Sequence, residues 1–245
     1  MRWKLTLEYD GTPFVGWQRQ EPGLLSIQQA LEDAITAFSG ETAAVTTAGR
    51  TDAGVHAEGQ VVHVDLTRDW SVKTVRDAIN AHLRPLPVAV LHAEPVSDEF
   101  NARFSAKLRA YRYTILNRRA PPTLEANRIW HVVPKMDIEP MREGAAHLLG
   151  HHDFSSFRAA DCQAKSPMRT LDKLEITRDG DRIIFIAEAR SFLHHQVRNM
   201  VGTLSMVGKG RWTPDDVKQA LEACDRAAAG PTAPPEGLVL TRVGY

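Results

Sequence analysis

Trp3, Leu5, Leu7 and Tyr9 alternate with Lys4, Thr6 and Glu8, the two-residue period of a strand with one buried face. Asp10-Gly11 ends that run. The period then lengthens to that of a helix, with Ile27, Ala30, Leu31, Ala34, Ile35 and Phe38 on one side. Ser26 stands at the N-cap with Gln29 three residues on, and Gly40 is the natural stop. Short strands are expected near residues 43–47 and 60–66, with a glycine-rich loop between them. Ser71 caps a second helix through Val75, Ile79 and Leu83, closed at Arg84-Pro85, and residues 88–93 form a further strand. The order is β-α-β-β-α-β, the split arrangement of a ferredoxin-like domain.

The second half repeats that order with insertions. Residues 107–116 read as a strand, and 140–149 as a helix ended by Gly150. Residues 171–177 and 182–189 form a hairpin around Asp179-Gly180, 194–207 a helix, and 238–243 a closing strand. Thr213-Pro214-Asp215-Asp216 starts an inserted helix, with a cap, a proline in the first turn and acids beside the helix dipole. The expected fold is therefore α+β: two ferredoxin-like halves, 1–104 and 105–245, joined into one extended mixed, mainly antiparallel sheet. Helices would cover one face and leave a cleft on the other, and joining the halves would hide strand edges.

Composition narrows this picture without redirecting it. Thirty basic residues balance thirty acidic ones, so no global charge announces a nucleic-acid partner. The balance is uneven along the chain, however. Residues 101–120 hold Arg103, Lys107, Arg109, Arg112, Arg118 and Arg119 and no acid, a stripe suited to orienting a polyanion or to a solvated strand face. Two cysteines, Cys162 and Cys224, exclude a disulfide framework or a zinc knuckle. Charges interrupt the apolar residues at the N-terminus, so no signal peptide is expected there. No run has the length of a membrane span, and a cytoplasmic setting is the expectation.

The chemistry-bearing residues lie in four segments. Residues 48–57, Ala-Gly-Arg-Thr-Asp-Ala-Gly-Val-His-Ala, put one carboxylate, Asp52, between Arg50 and His56 with glycines on both sides, as a tight exposed loop requires. Residues 9–20 carry Phe14 and Trp17 among two glutamines and Arg19, a mixture that can stack on bases or plug the core. Tyr111 and Tyr113 share one face of the basic strand and alternate with Arg112, which fits either unstacked bases or sheet packing. Arg198 sits among apolar neighbours in residues 192–202, where a buried guanidinium needs an acidic partner, and Asp52 is a sensible one. His147, His151 and His152 lack the spacing of a metal site, so no metal is expected. No phosphate-binding glycine loop is present in the sequence.

These segments resemble, in order, the three motifs of the tRNA pseudouridine synthase A family. The first motif matches residues 9–20 together with 48–57, the second Ala102-Arg103-Phe104-Ser105-Ala106 with Tyr111-Arg112-Tyr113, and the third residues 192–202. The likeness runs to the closing Gly237-Leu238-Val239-Leu240 and Val243-Gly244-Tyr245. It implies conversion of uridine to pseudouridine at tRNA positions 38, 39 and 40 in the anticodon stem-loop, by a homodimer that needs no cofactor or metal. It also implies Asp52 as the catalytic residue, Tyr111 as the contact to the target base and Arg198 as the partner of the carboxylate. Arg50, His56, Arg109 and Arg112 are expected to bind substrate.

Two rival readings predict different residues. A glycosidase that cuts a nucleoside bond ordinarily needs two carboxylates about 5 to 9 Å apart, whereas the loop offers one acid among cations. A non-catalytic RNA-binding module would use the basic aromatic strand and have no need of the Asp52 loop.

Overall fold

A computed structural model describes residues 1–21 and 23–245. The chain divides into two compact units, Met1–Lys107 with Val239–Tyr245, and Leu108–Leu238. Both mix helices with mainly antiparallel strands, so the fold class is α+β.

The first unit contains β1 (Arg2–Tyr9), α1 (Ile27–Ser39), β2 (Thr46–Thr47), β3 (His56–Asp65), α2 (Val72–Leu83) and β4 (Val88–Val96). β1 lies between β4 and β3, antiparallel to both, and buries Trp3, Leu5, Leu7 and Tyr9 as its alternation requires. The caps are those the sequence specifies. Ser26 Oγ accepts from the Gln29 N–H, Gly40 closes α1 in the left-handed conformation with φ 73°, and Ser71 accepts from Thr74. β2 is only two residues long, and β3 starts at His56, four residues before the expected position. The last residues of the Asp52 motif are thus already strand.

The second unit contains β5 (Leu108–Leu116), β6 (Trp130–His131), α3 (Ile138–Ala146), β7 (Gly150–Asp153), β8 (Met168–Asp179), β9 (Arg182–Ala189), α4 (Gln196–Gly208) and α5 (Pro214–Glu222). Its sheet runs β5-β9-β8-β7, with β6 parallel on the edge of β5. The hairpin of β8 and β9 is in register from Asp179↔Arg182. α5 carries a reciprocal capping box between Thr213 and Asp216. β6 and β7 were not anticipated: Gly150, with φ 98°, both ends the turn after α3 and opens β7. α4 begins at Gln196 rather than His194 because His195 is held at φ 61°, outside helical space.

The closing strand β10 (Leu238–Gly244) belongs with the first unit from Val239 onward, although chain order alone places it with the second half. It runs parallel to β3 with Val239 beside His56 and Leu240 beside Ala57. Gly59 permits the approach, since a β-carbon there would lie 2.5 Å from the Thr241 carbonyl oxygen. Among the described residues no helix is long and apolar enough to cross a membrane.

Candidate active site

Asp52 is half-buried at the first position of a turn, where its carbonyl accepts from the Val55 N–H at 3.1 Å. Gly54 occupies the third position at φ 78°, as a type II turn demands of a residue free of Cβ. Arg50, two residues earlier, is exposed, and so is Ala53.

The turn is clamped from beneath by residues 9–17, whose placement explains that segment's composition. Trp17 donates its backbone N–H to the Thr51 carbonyl at 2.9 Å. Tyr9 shares a hydrogen bond with Thr51 Oγ1 at 2.9 Å. Gln60 Nε2 links Tyr9 Oη at 3.2 Å to the Gly49 carbonyl at 2.7 Å, and Thr47 Oγ1 donates to that same carbonyl. Two glycines let the strands of this clamp touch. A β-carbon on Gly11 would overlap the Val55 carbonyl oxygen, and Gly16, at φ 110°, packs on the backbone of Thr51 and Ala53. Phe14 and Trp17 are buried. They plug the core and support the loop, so they are not stacking surfaces. Burial pushes the Tyr9 phenol up to about 12, which keeps it neutral as a fixed hydrogen-bonding strut.

His56 takes part in the same clamp. It is buried, and its Nδ1 accepts from the Gly11 N–H at 3.0 Å, with Asp10 Oδ1 3.2 Å from that nitrogen. Asp10 in turn accepts from the Thr12 N–H and hydroxyl. The geometry makes His56 a brace for the loop's exit and does not expose it as a substrate contact.

In the second unit, Tyr111 lies near the middle of β5, largely buried, with its ring edge-on to Phe192 at 5.3 Å. Tyr113 is fully buried, donates to the Pro234 carbonyl at 2.8 Å and meets Trp130 and Phe185 edge-on. Burial raises its phenol far above the usual range. Of the two tyrosines, Tyr113 is therefore a core residue. The basic stripe also divides. Arg109 is buried on the tyrosine face and donates to the Arg190 carbonyl, while Arg112 is half-buried on the opposite face.

Arg198 occupies the first turn of α4, a position where the helix dipole disfavours a cation. Its Nε donates to the Ala233 carbonyl at 2.8 Å, and the Ala233 N–H donates back to the Arg198 carbonyl at 3.1 Å. The approach to α4 is equally constrained. Leu193 and Gln196 exchange hydrogen bonds, Gln196 through its Oε1 and its N–H. His194 Nδ1 lies 3.2 Å from Asp161 Oδ1. The remaining histidines considered as ligands engage elsewhere: His151 with Thr170 Oγ1, His152 with the Leu149 carbonyl, and His147 near Asp215.

Sequence reasoning missed the loop's supports, Tyr9, Thr51, Gln60, Gly11 and Gly16, and the Ala233 segment that holds Arg198. The glycines were the readable signal, because Gly11 and Gly16, close together in the connection from β1 to α1, imply close backbone approach.

A family model described as tRNA pseudouridine synthase matches residues 6–105 and 145–245. Asp52 and Arg198 fall within those segments, and Tyr111 lies between them. The tRNA pseudouridine synthase A of Paramagnetospirillum magneticum is 62% identical over 244 residues, covering 100% of this chain and 95% of that protein. That of Rhodospirillum centenum is also 62% identical, covering 100% and 99%. The Rhodospirillum rubrum protein of the same name is 58% identical, covering 100% and 88%. The chain belongs to the tRNA pseudouridine synthase family and is by that membership an isomerase.

Proposed function

We propose that this chain converts uridine to pseudouridine in tRNA at positions 38, 39 and 40 of the anticodon stem-loop, with Asp52 as nucleophile. The observation that carries the proposal is the clamped turn. One carboxylate-bearing residue stands at its start, fixed through the backbone by Trp17, Tyr9, Gln60 and two glycines. A nucleophile held by rigid neighbours needs no reorganisation when its substrate arrives.

The reaction requires few groups. The bond from C1′ to N1 breaks, the uracil turns while held, and a bond from C1′ to C5 forms. The C5 hydrogen leaves as a proton and N1 gains one, so no oxidant or energy source enters. The target base must first leave its stack, which costs a few kcal/mol. Asp52 acts ionised, by attack on the sugar or on the ring; Arg50, two residues away in the chain, favours that form, and the family resemblance adds Arg198 as the carboxylate's partner. Tyr111 contacts the uracil, by stacking of its ring or through its hydroxyl at the C5 proton, and Phe192 packs edge-to-face with that ring. Arg50, exposed beside the turn, contacts RNA phosphate or fills the gap left by the flipped nucleotide. The buried positions of Arg109 and His56 give both a supporting part.

The family resemblance extends the proposal to a cytoplasmic homodimer acting without cofactor or metal. Asp52→Asn tests the central assignment. It is expected to bind tRNA with near-normal affinity and to release no tritium from C5-labelled uridine. Substantial release by that variant removes Asp52 from the role. Free uracil from the native chain would instead support a glycosidase.

A further inference from the structure

We infer that Arg226 is a positioning residue for this isomerase, acting through Arg198; the inference rests on the role proposed above for Arg198. Residues 229–234 form a strap laid along α4, and one guanidinium ties it down. Arg226 Nη1 donates to the Gly230 carbonyl at 2.9 Å and, at longer range, to that of Ala229. Its Nη2 donates to Thr232 Oγ1 at 3.0 Å and Asn199 Oδ1 at 3.2 Å. Thr232 Oγ1 in turn donates to Asn199 Oδ1 at 2.7 Å, and Asn199 Nδ2 donates to the Phe157 carbonyl. Asn199 is the residue after Arg198 in the same helical turn.

The strap follows the helix closely. A β-carbon on Gly202 would overlap the Pro231 carbonyl, and one on Gly230 would lie 2.7 Å from Thr203 Cα. Gly230 donates its N–H to Thr203 Oγ1 at 3.0 Å. Where the strap ends, Ala233 makes the reciprocal pair with Arg198. The Arg198 guanidinium is thus tied to a carbonyl whose own position depends on the Arg226 network, one to four residues back along the strap. Charge-assisted bonds of this kind are stronger and better oriented than neutral ones. The bond to the strap holds an arginine in the first helical turn, where the helix dipole disfavours a cation. Arg226 touches no reacting atom in this scheme. It fixes the carbonyl that aims the guanidinium.

Single-turnover tritium release and tRNA binding, measured on Arg226→Met, Arg198→Lys and the double variant, test the assignment. Arg226→Met is expected to slow turnover about 10- to 100-fold, the scale of a misplaced catalytic group, while tRNA affinity moves less than about threefold. The double variant should be no slower than Arg198→Lys alone, because both changes disable one device. Arg226→Lys should recover part of the rate. Full turnover by Arg226→Met, or losses that multiply in the double variant, overturns the inference. Full turnover by Arg198→Lys overturns it by a different route, by removing the role assigned to Arg198. If Arg226→Met does not fold, Thr232→Val removes one acceptor without deleting a charge, and its unchanged turnover would likewise overturn the inference.

Discussion

Two arginines three positions apart on β5 illustrate how far a residue's type underdetermines its work. Arg109 and Arg112 look alike in sequence, yet one is buried with a backbone carbonyl for a partner and the other is half-buried on the far face. Their replacement should therefore separate. Arg109→Ala removes a buried side chain together with its charge-assisted bond to the Arg190 carbonyl and is expected to lower stability by about 1–3 kcal/mol, read as a drop in the urea midpoint. Arg112→Ala should leave the midpoint nearly unchanged and reduce the slope of log Kd for tRNA against log salt by about one. The sequence put both in one basic stripe expected to meet substrate, and their opposite faces emerge only from the strand itself. Nor could the sequence foretell that Arg190, far off along it, supplies the carbonyl. The turn that carries Asp52 is easier to read, since its determinants are neighbours in the chain: Gly49, Gly54 and a short loop.

At the level of elements, what could be read locally was read well. α1 and α2 depend on caps within three residues of their ends, and those caps are present. β7 and β6 depend on pairing with β8 and β5, and no local period in two to four residues reveals such partners. The clamp under the Asp52 turn is a similar case, with readable glycines but an unreadable partner for each. Gly16→Ala probes it. The side chain would have to adopt φ near 110° against the Thr51–Ala53 backbone, at a cost on the order of 1–3 kcal/mol. Displacing the turn by a fraction of an ångström should reduce tritium release about 100-fold with tRNA binding largely kept. A Gly16→Ala variant of full activity would show that the clamp does not position Asp52.

The molecule as a whole is neutral by formal charge, so its acid response falls to individual groups. His63 is buried on β3, with Nδ1 accepting from the Ala102 N–H at 3.0 Å. Burial, reinforced by the charge of Arg2 and opposed by Asp65, holds its imidazole below the usual 6.5. The unfolded chain therefore takes up this proton first. Stability from His63 is complete above about pH 6.5 and declines as pH falls toward the lowered folded value. Melting temperatures between pH 8 and 5 should show that decline, and His63→Gln, which keeps an acceptor, should flatten it. An identical slope in the variant would assign the acid sensitivity to other groups.

The unit that carries Asp52 is closed by residues from far along the chain: Val239 and Leu240 flank His56 and Ala57, where the clamped turn becomes β3. During synthesis that neighbour emerges from the ribosome long after the turn itself, so the first unit waits for β10 before its sheet is filled. A message cut short before codon 238 would yield a polypeptide with every residue assigned to chemistry and yet an unfinished wall beside the carboxylate.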